Sequence, residues 1–211
     1  MAAFRADVPA SYAAALGQRN AALRRLAAGV SDPEALEPWT ERLVALAAEL
    51  VEARRLAIDL LSPAFAERAD ELGLPAAALG YDAEPPTRAD LDERQPRDVE
   101  RGTTSLGPHL DEIRIASGDR DLRAFGSQGE QRLAVLSLLL AEAELLTSRG
   151  DVPPLLLLDD ALSELDADRR RALSTRLGAV GQTLVTATGA EALPLAPAQL
   201  LVVSPGAVRP G

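Results

Sequence analysis

The sequence predicts an α/β protein with an antiparallel helical arm in front and a parallel-sheet lobe behind. Three observations carry this. Apolar residues between Tyr12 and Leu60 recur at spacings of three and four, the period of a helix face. Behind them, short apolar runs alternate with helical patterns, the order that builds a parallel sheet. The run Leu155-Leu156-Leu157-Leu158 is wholly apolar and stops at two adjacent acids, Asp159 and Asp160, as a buried strand does at the rim of a crevice.

Composition sets the bounds. A chain of 211 residues holds one large domain or two small ones with a real core. Hydrophobic residues make up 47% of it and aromatics only 3%, so that core must be aliphatic. A net charge of −10 excludes a chain-wide basic footprint for nucleic acid. All 22 basic residues are arginine, which excludes a phosphate loop ending in Gly-Lys-Ser/Thr from this chain. The absence of cysteine excludes disulfides and thiolate metal sites and suits a reducing cytoplasm, the expected location. No charged-then-apolar leader pattern opens the chain, and no apolar run reaches membrane-spanning length. The richest, Leu133 to Leu146, is interrupted by Glu142 and Glu144.

In order, Met1 to about Ala10 reads as a weakly patterned lead-in. A helix follows from Ser11, with Tyr12, Leu16, Leu23 and Leu26 on one face, and Gly29 ends it. Asp32 and Pro33 start the next helix, with Asp32 as N-cap. Its seam runs through Leu36, Trp39, Leu43, Leu46, Leu50, Ala53, Ala57 and Leu60, and the short link predicts an antiparallel hairpin. Ser62-Pro63 predicts an interruption, with a short helix Ala64–Leu72 beyond it closed by Gly73-Leu74-Pro75. Residues 80–101 are charged and Pro-rich. They read as a loop, a short helix near Ala89–Glu93 and a further helical turn from Pro96. The domain division is accordingly 1–80 for the helical arm and 81–211 for the lobe.

The lobe begins with a polar loop carrying the only histidine, His109, which reads as a loop or core hydrogen-bonder. Glu112–Ala116 alternates like a strand, Ser117-Gly118-Asp119 turns, and Asp121–Phe125 is predicted as the returning strand. Gln128–Ser148 is a long, mostly buried helix ended by Gly150. Leu155–Leu158 is predicted as a parallel strand buried on both faces. Asp166 caps a helix Ala167–Leu177, and Gln182–Thr188 and Gln199–Val203 are the last strands.

Two motifs carry chemistry. Twin acids at a strand end diverge in direction and can divide labour: Asp159 would hold Mg²⁺, and Asp160 would orient or deprotonate a water. The plain alternative is a strand end followed by an Asx-type turn. Ser127-Gln128-Gly129-Glu130 is first of all a capping box. The same helix tip, with a serine hydroxyl and a glycine that admits close approach, is also an anion site.

Phe125–Arg132 resembles the signature segment of ABC-type ATPases, and Leu155–Asp166 resembles their Walker B strand and D-loop. Taken with Gly107-Pro108-His109, Ser127-Gln128-Gly129 and Leu162-Ser163-Glu164-Leu165-Asp166, the chain from about Tyr12 to Thr188 resembles the RecF family. The resemblance implies a partial ABC-ATPase head, a P-loop NTPase lobe without its Walker A part, with a DNA- or partner-facing helical arm. It implies that Ser127 and Gly129 contact the γ-phosphate of ATP held by a second subunit, with Gln128 between them counted among the nucleotide-binding residues. Asp159 would be the Mg²⁺ ligand, Asp160 the catalytic acid, Asp166 a D-loop residue at the dimer interface and Thr188 the occupant of the switch position. A shorter acid at 160 and a neutral hydroxyl at 188 imply slow hydrolysis. Leu110 stands where the family places an arginine.

The expected function is that of the carboxy-terminal part of such a protein: ATP-dependent DNA binding at single-strand gaps as a homodimer. RecR- and RecO-type mediators would be its partners, and recombinase loading and the SOS response its setting, with no membrane association. The alternative is a non-catalytic module whose hairpin docks a partner and whose motifs are remnants. The helical piece is too short for the long coiled coil of an SMC- or Rad50-type head.

Overall fold

A computed structural model describes residues 7–150, 152–162, 165–178, 181–189 and 197–211. The chain forms two compact units, one of residues through Leu60 with Gly80–Arg114, the other of Leu61–Leu79 with Ile115–Gly211.

In the first unit, helix α1 (Val8–Ala27) ends where Gly29 turns left-handed at φ +69°. The N–H groups of Gly29 and Val30 close on the carbonyls of Leu26 and Arg25, at 3.0 and 3.1 Å. Asp32 occupies the N-cap position in extended backbone without a side-chain bond, and Pro33–Leu36 form a 3-10 turn leading into α2 (Glu37–Glu71). Val8, Tyr12 and Ala15 pack with Leu43, Leu46 and Leu50, whereas Ala22 and Leu23 pack with Leu36. The two helices therefore run antiparallel, as the seam predicts.

Helix α3 (Arg88–Arg101) joins the hairpin, entered through a Thr87–Asp90 capping box and left through left-handed Gly102. Its Leu91 is buried in the α1–α2 cluster. A polar core completes the packing. Arg19, 1% exposed, donates to Asp98 Oδ2 (3.0 Å), Thr104 Oγ1 (2.7 Å) and Thr40 Oγ1 (3.2 Å). Asp98 in turn accepts from the N–H and hydroxyl of Ser105, at 3.0 and 2.6 Å. The compact units are thus discontinuous in sequence, where composition suggested a single cut near residue 80. The charged stretch hides a helix whose buried aspartate has its counter-charge 79 residues away.

Two prolines lie inside helices. Helix α2 passes through Pro63 and α3 through Pro96, so the predicted breaks at both places are absent. A helical proline forfeits one hydrogen bond, and here the fully buried Phe65 and Ala69 just beyond Pro63 anchor the continuing turns.

The second unit holds a three-stranded sheet in the order β1 (Ala77–Gly80), β2 (Arg114–Ser117), β3 (Arg120–Asp121). Strand β1 was not expected from sequence. The predicted strand Asp121–Phe125 is instead a helical turn, α4 (Leu122–Phe125), because the Asp121 carboxylate accepts from the N–H groups of Arg123 and Ala124 and starts a helix. The long helix α5 (Gln128–Arg149) follows, then β4 (Leu156–Leu158), α6 (Ala167–Leu177) and β5 (Thr183–Val185), which pairs in parallel with β4. Strands β6 (Leu201–Ser204) and β7 (Ala207–Pro210) form a separate antiparallel hairpin. Leu133, Leu140, Leu156, Leu158, Leu162 and Leu173 share one core.

Strand β4 is buried on one face only. Leu156 and Leu158 are buried, whereas Leu157 and its register partner Leu184 are 64% and 58% exposed. The prediction of burial on both faces is corrected to that extent, since none of the described elements covers the second face. No described helix is long and apolar enough to cross a membrane.

Candidate functional site: a twin-acid strand end and a capped helix tip

Parallel pairing positions the acids. Leu156 N–H donates to Gln182 O (3.0 Å), and Thr186 N–H donates to Leu158 O (2.9 Å), so β5 ends beside the end of β4. Asp159 is exposed, and its Oδ1 accepts from the Thr186 hydroxyl. The N–H of Asp160 donates to the same hydroxyl at 3.0 Å, with Asp160 in left-handed backbone at φ +47°. Buried Ala161, Leu162 and Leu165 then carry the chain back into the core. Ser163 and Glu164 lie outside the described residues.

Asp166 is exposed and caps α6, its Oδ1 accepting from Arg169 N–H at 2.9 Å. Thr188, the residue proposed for the switch position, stands exposed two residues past Thr186. It is Thr186 that touches the acids, and sequence reasoning missed it. A threonine at the end of a predicted strand facing an acidic strand end was the available signal, but it does not say which of two nearby threonines crosses over.

The helix tip is built with equal economy. Gly126 follows α4 so closely that a Cβ there would lie 2.5 Å from Leu122 O, which only glycine tolerates. The Gln131 side-chain amide donates to Leu122 O at 2.9 Å and ties the turn to α5. Ser127 Oγ accepts from Glu130 N–H (3.2 Å), and Glu130 Oε2 accepts from the N–H and hydroxyl of Ser127, at 2.8 and 3.0 Å. This is the predicted capping box. Arg120 completes it with an ion pair to Glu130 Oε1 at 2.7 Å. The Ser127 N–H, with Arg120 behind it, holds the Glu130 carboxyl down at about 2. At neutral pH a carboxylate therefore already occupies an anion position at this tip.

Gln128 is exposed, and a Cβ on Gly129 would meet nothing nearer than Ser127 Oγ at 4.0 Å. The first turn is sterically open to a ligand. The structure thus brings Asp159, Asp160 and Thr186 together as one cluster, and Arg120, Ser127 and Glu130 as another.

No group of three or more acid, histidine or cysteine side chains that could hold a metal occurs among the described residues. Asp159 fits a cation as a carboxylate ligand in a site of fewer than three such side chains. That is the mode in which Mg²⁺ is held together with substrate phosphates and water.

In the first unit, His109 is structural. Its Nδ1 lies 2.8 Å from the Tyr12 hydroxyl and its Nε2 3.1 Å from Thr104 O. Burial pushes the Tyr12 hydroxyl up to about 12, so it stays protonated as a donor. Arg54 donates to Pro108 O, and the Gly-Pro-His loop is pinned at both ends.

No protein-family model matches the chain. The DNA replication and repair protein RecF of Salinibacter ruber is 38% identical over 196 residues, covering 84% of this chain and 48% of that protein. RecF of Anaeromyxobacter dehalogenans is 40% identical over 194 residues, covering 84% and 51%. RecF of Deinococcus deserti is 37% identical over 183 residues, covering 85% and 49%. The chain spans about half the length of these relatives. Among solved structures, the recombination mediator protein RecF–ATPrS of the RecFOR pathway matches with TM-score 0.79 and 23% identity, over 96% of this chain and 57% of that one. The RecF–ATP structure matches with TM-score 0.78, also at 23% identity and over the same shares. The fold of this chain is therefore that of the corresponding part of RecF. With relatives 33–42% identical over more than four-fifths of its length and a matching fold, the chain is similar to one half of RecF, the DNA replication and repair protein.

Proposed function

We propose that the chain is the carboxy-terminal, signature- and Walker B-bearing part of a RecF-type ATPase that acts in the cytoplasm on DNA at single-strand gaps. In this reading ATP is sandwiched across an isologous homodimer. The helix tip of one subunit, with Ser127, Gln128 and Gly129, meets the γ-phosphate of ATP held by the other. Asp159 takes Mg²⁺, which when bound neutralises phosphate charge, and Asp160 orients the attacking water. Asp166 lies at the dimer interface, with Thr188 near the phosphates in place of a proton-carrying residue. Slow hydrolysis then serves as a release timer, with RecR- and RecO-type mediators as partners, recombinase loading as the outcome and the SOS response as the wider setting.

The observation that supports this best is the exposed α5 tip, with Gly129 facing open space, in a chain whose fold matches RecF–ATP. The N–H groups of Gln128 and Gly129, which have no partner within the helix, would meet a bound γ-phosphate, the Glu130 carboxylate being taken up by Ser127 and Arg120.

The test mixes this chain with the half of Salinibacter ruber RecF that it does not match, expected to carry the lysine loop. Sedimentation and a fluorescent ATP analogue should report ATP-dependent association, abolished by Ser127→Arg. Association indifferent to ATP, or unaffected by Ser127→Arg, would overturn the reading.

A further inference from the structure

We infer that Thr186 is the positioning residue of the twin-acid turn: its single hydroxyl sets the orientation of Asp159 and the backbone of Asp160 together. The chemistry of the three groups leaves one arrangement. The Asp160 N–H can only donate, so at 3.0 Å the hydroxyl oxygen accepts there. The hydroxyl proton is then committed to Asp159 Oδ1. A carboxylate with Oδ1 so engaged is restrained about that bond and leaves Oδ2 as the atom for an incoming cation.

The same bond holds Asp160 in left-handed backbone, a region that a residue other than glycine occupies at some cost. Threonine suits the task because its branched Cβ restricts χ1, so the hydroxyl is aimed before a ligand arrives. Its place at the end of β5 has a second consequence. The Thr186 N–H donates to Leu158 O while its hydroxyl holds the next two residues, so the ends of β4 and β5 move as one. A cation taken by Asp159 is thereby felt by the segment leading to Thr188. The cation arm of this inference rests on the proposed function; the orientation of the turn does not.

The test compares Thr186→Val, which keeps the shape and removes the hydroxyl, with Thr186→Ser, which keeps the hydroxyl. In the full chain, amide hydrogen exchange followed by NMR should show Asp160 exchanging on the order of tenfold faster in Thr186→Val, the factor one ordinary hydrogen bond supplies. Thr186→Ser should behave like the parent. In the ATP-dependent association above, Thr186→Val should raise the Mg²⁺ concentration for half-maximal response by about tenfold, with the ATP dependence at saturating Mg²⁺ unchanged and Thr186→Ser restoring the parent value. Equal exchange in Thr186→Val and parent overturns the inference, as does equal impairment in the valine and serine variants, which would mark a packing role. A parent chain that gives no ATP response refutes the functional reading and the cation arm with it, while the exchange comparison still decides whether Thr186 holds the turn.

Discussion

Replacing Asp98 by alanine probes the polar core of the first unit most directly. Arg19 is 1% exposed and Asp98 fully buried, so the variant leaves a guanidinium in the interior with only two threonine hydroxyls for company. It also strips the Ser105 N–H and hydroxyl of their acceptor. Breaking a buried pair by removing one partner costs about 3–5 kcal/mol, far more than the pair's net contribution. With a urea slope of about 2 kcal/mol per molar for a unit of this size, the midpoint should fall by roughly 2 M. Trp39, the only tryptophan, lies in this unit and packs on the Ala22–Leu23–Leu36 cluster, so its fluorescence reports this transition. The double variant Arg19→Met, Asp98→Leu should recover most of the loss, because it buries no charge. A midpoint shift below about 0.5 M for Asp98→Ala would show that the pair is not sealed from water and that the reasoning is wrong.

Other outcomes follow from the second unit. The Glu130 carboxyl, lowered from 4.5 to about 2, stabilises the α5 cap fully above its unfolded value near 4.5, and that stabilisation is lost as pH falls through about 2. A carbon NMR titration of Glu130 should have its midpoint near 2, and a midpoint near 4.5 would discard the capping-box electrostatics. Gly126→Ala should cost about 1–3 kcal/mol, read as a lower thermal midpoint, since its Cβ would press on backbone at Leu122 O. An unchanged midpoint would mean the α4–α5 turn relaxes freely. The purified chain, which has no lysine, should hydrolyse ATP negligibly, and turnover abolished by Asp160→Asn would refute that.

What the sequence determined by itself was whatever closes within a turn or two of chain. The Ser127–Glu130 box, the Asp166 cap and the Gly29 stop are bonds among near neighbours, and each helix of the hairpin carries its apolar seam at a local spacing of three and four, so residue type and spacing were enough. The twin acids at the end of β4 were legible for the same reason. Tertiary structure decided the rest. Pro63 and Pro96 sit inside helices because packing outweighs one lost backbone bond, which local propensity cannot weigh. Residues 80–114 belong with the hairpin because Arg19 finds its counter-charge on α3. Thr186 rather than Thr188 reaches the acids because parallel register pairs Leu158 with Val185 and places the next residue opposite the turn. Two residues apart in an extended chain, Thr186 and Thr188 share a face, so it is register that decides which hydroxyl meets the carboxylate, and register is set only when two distant segments come together.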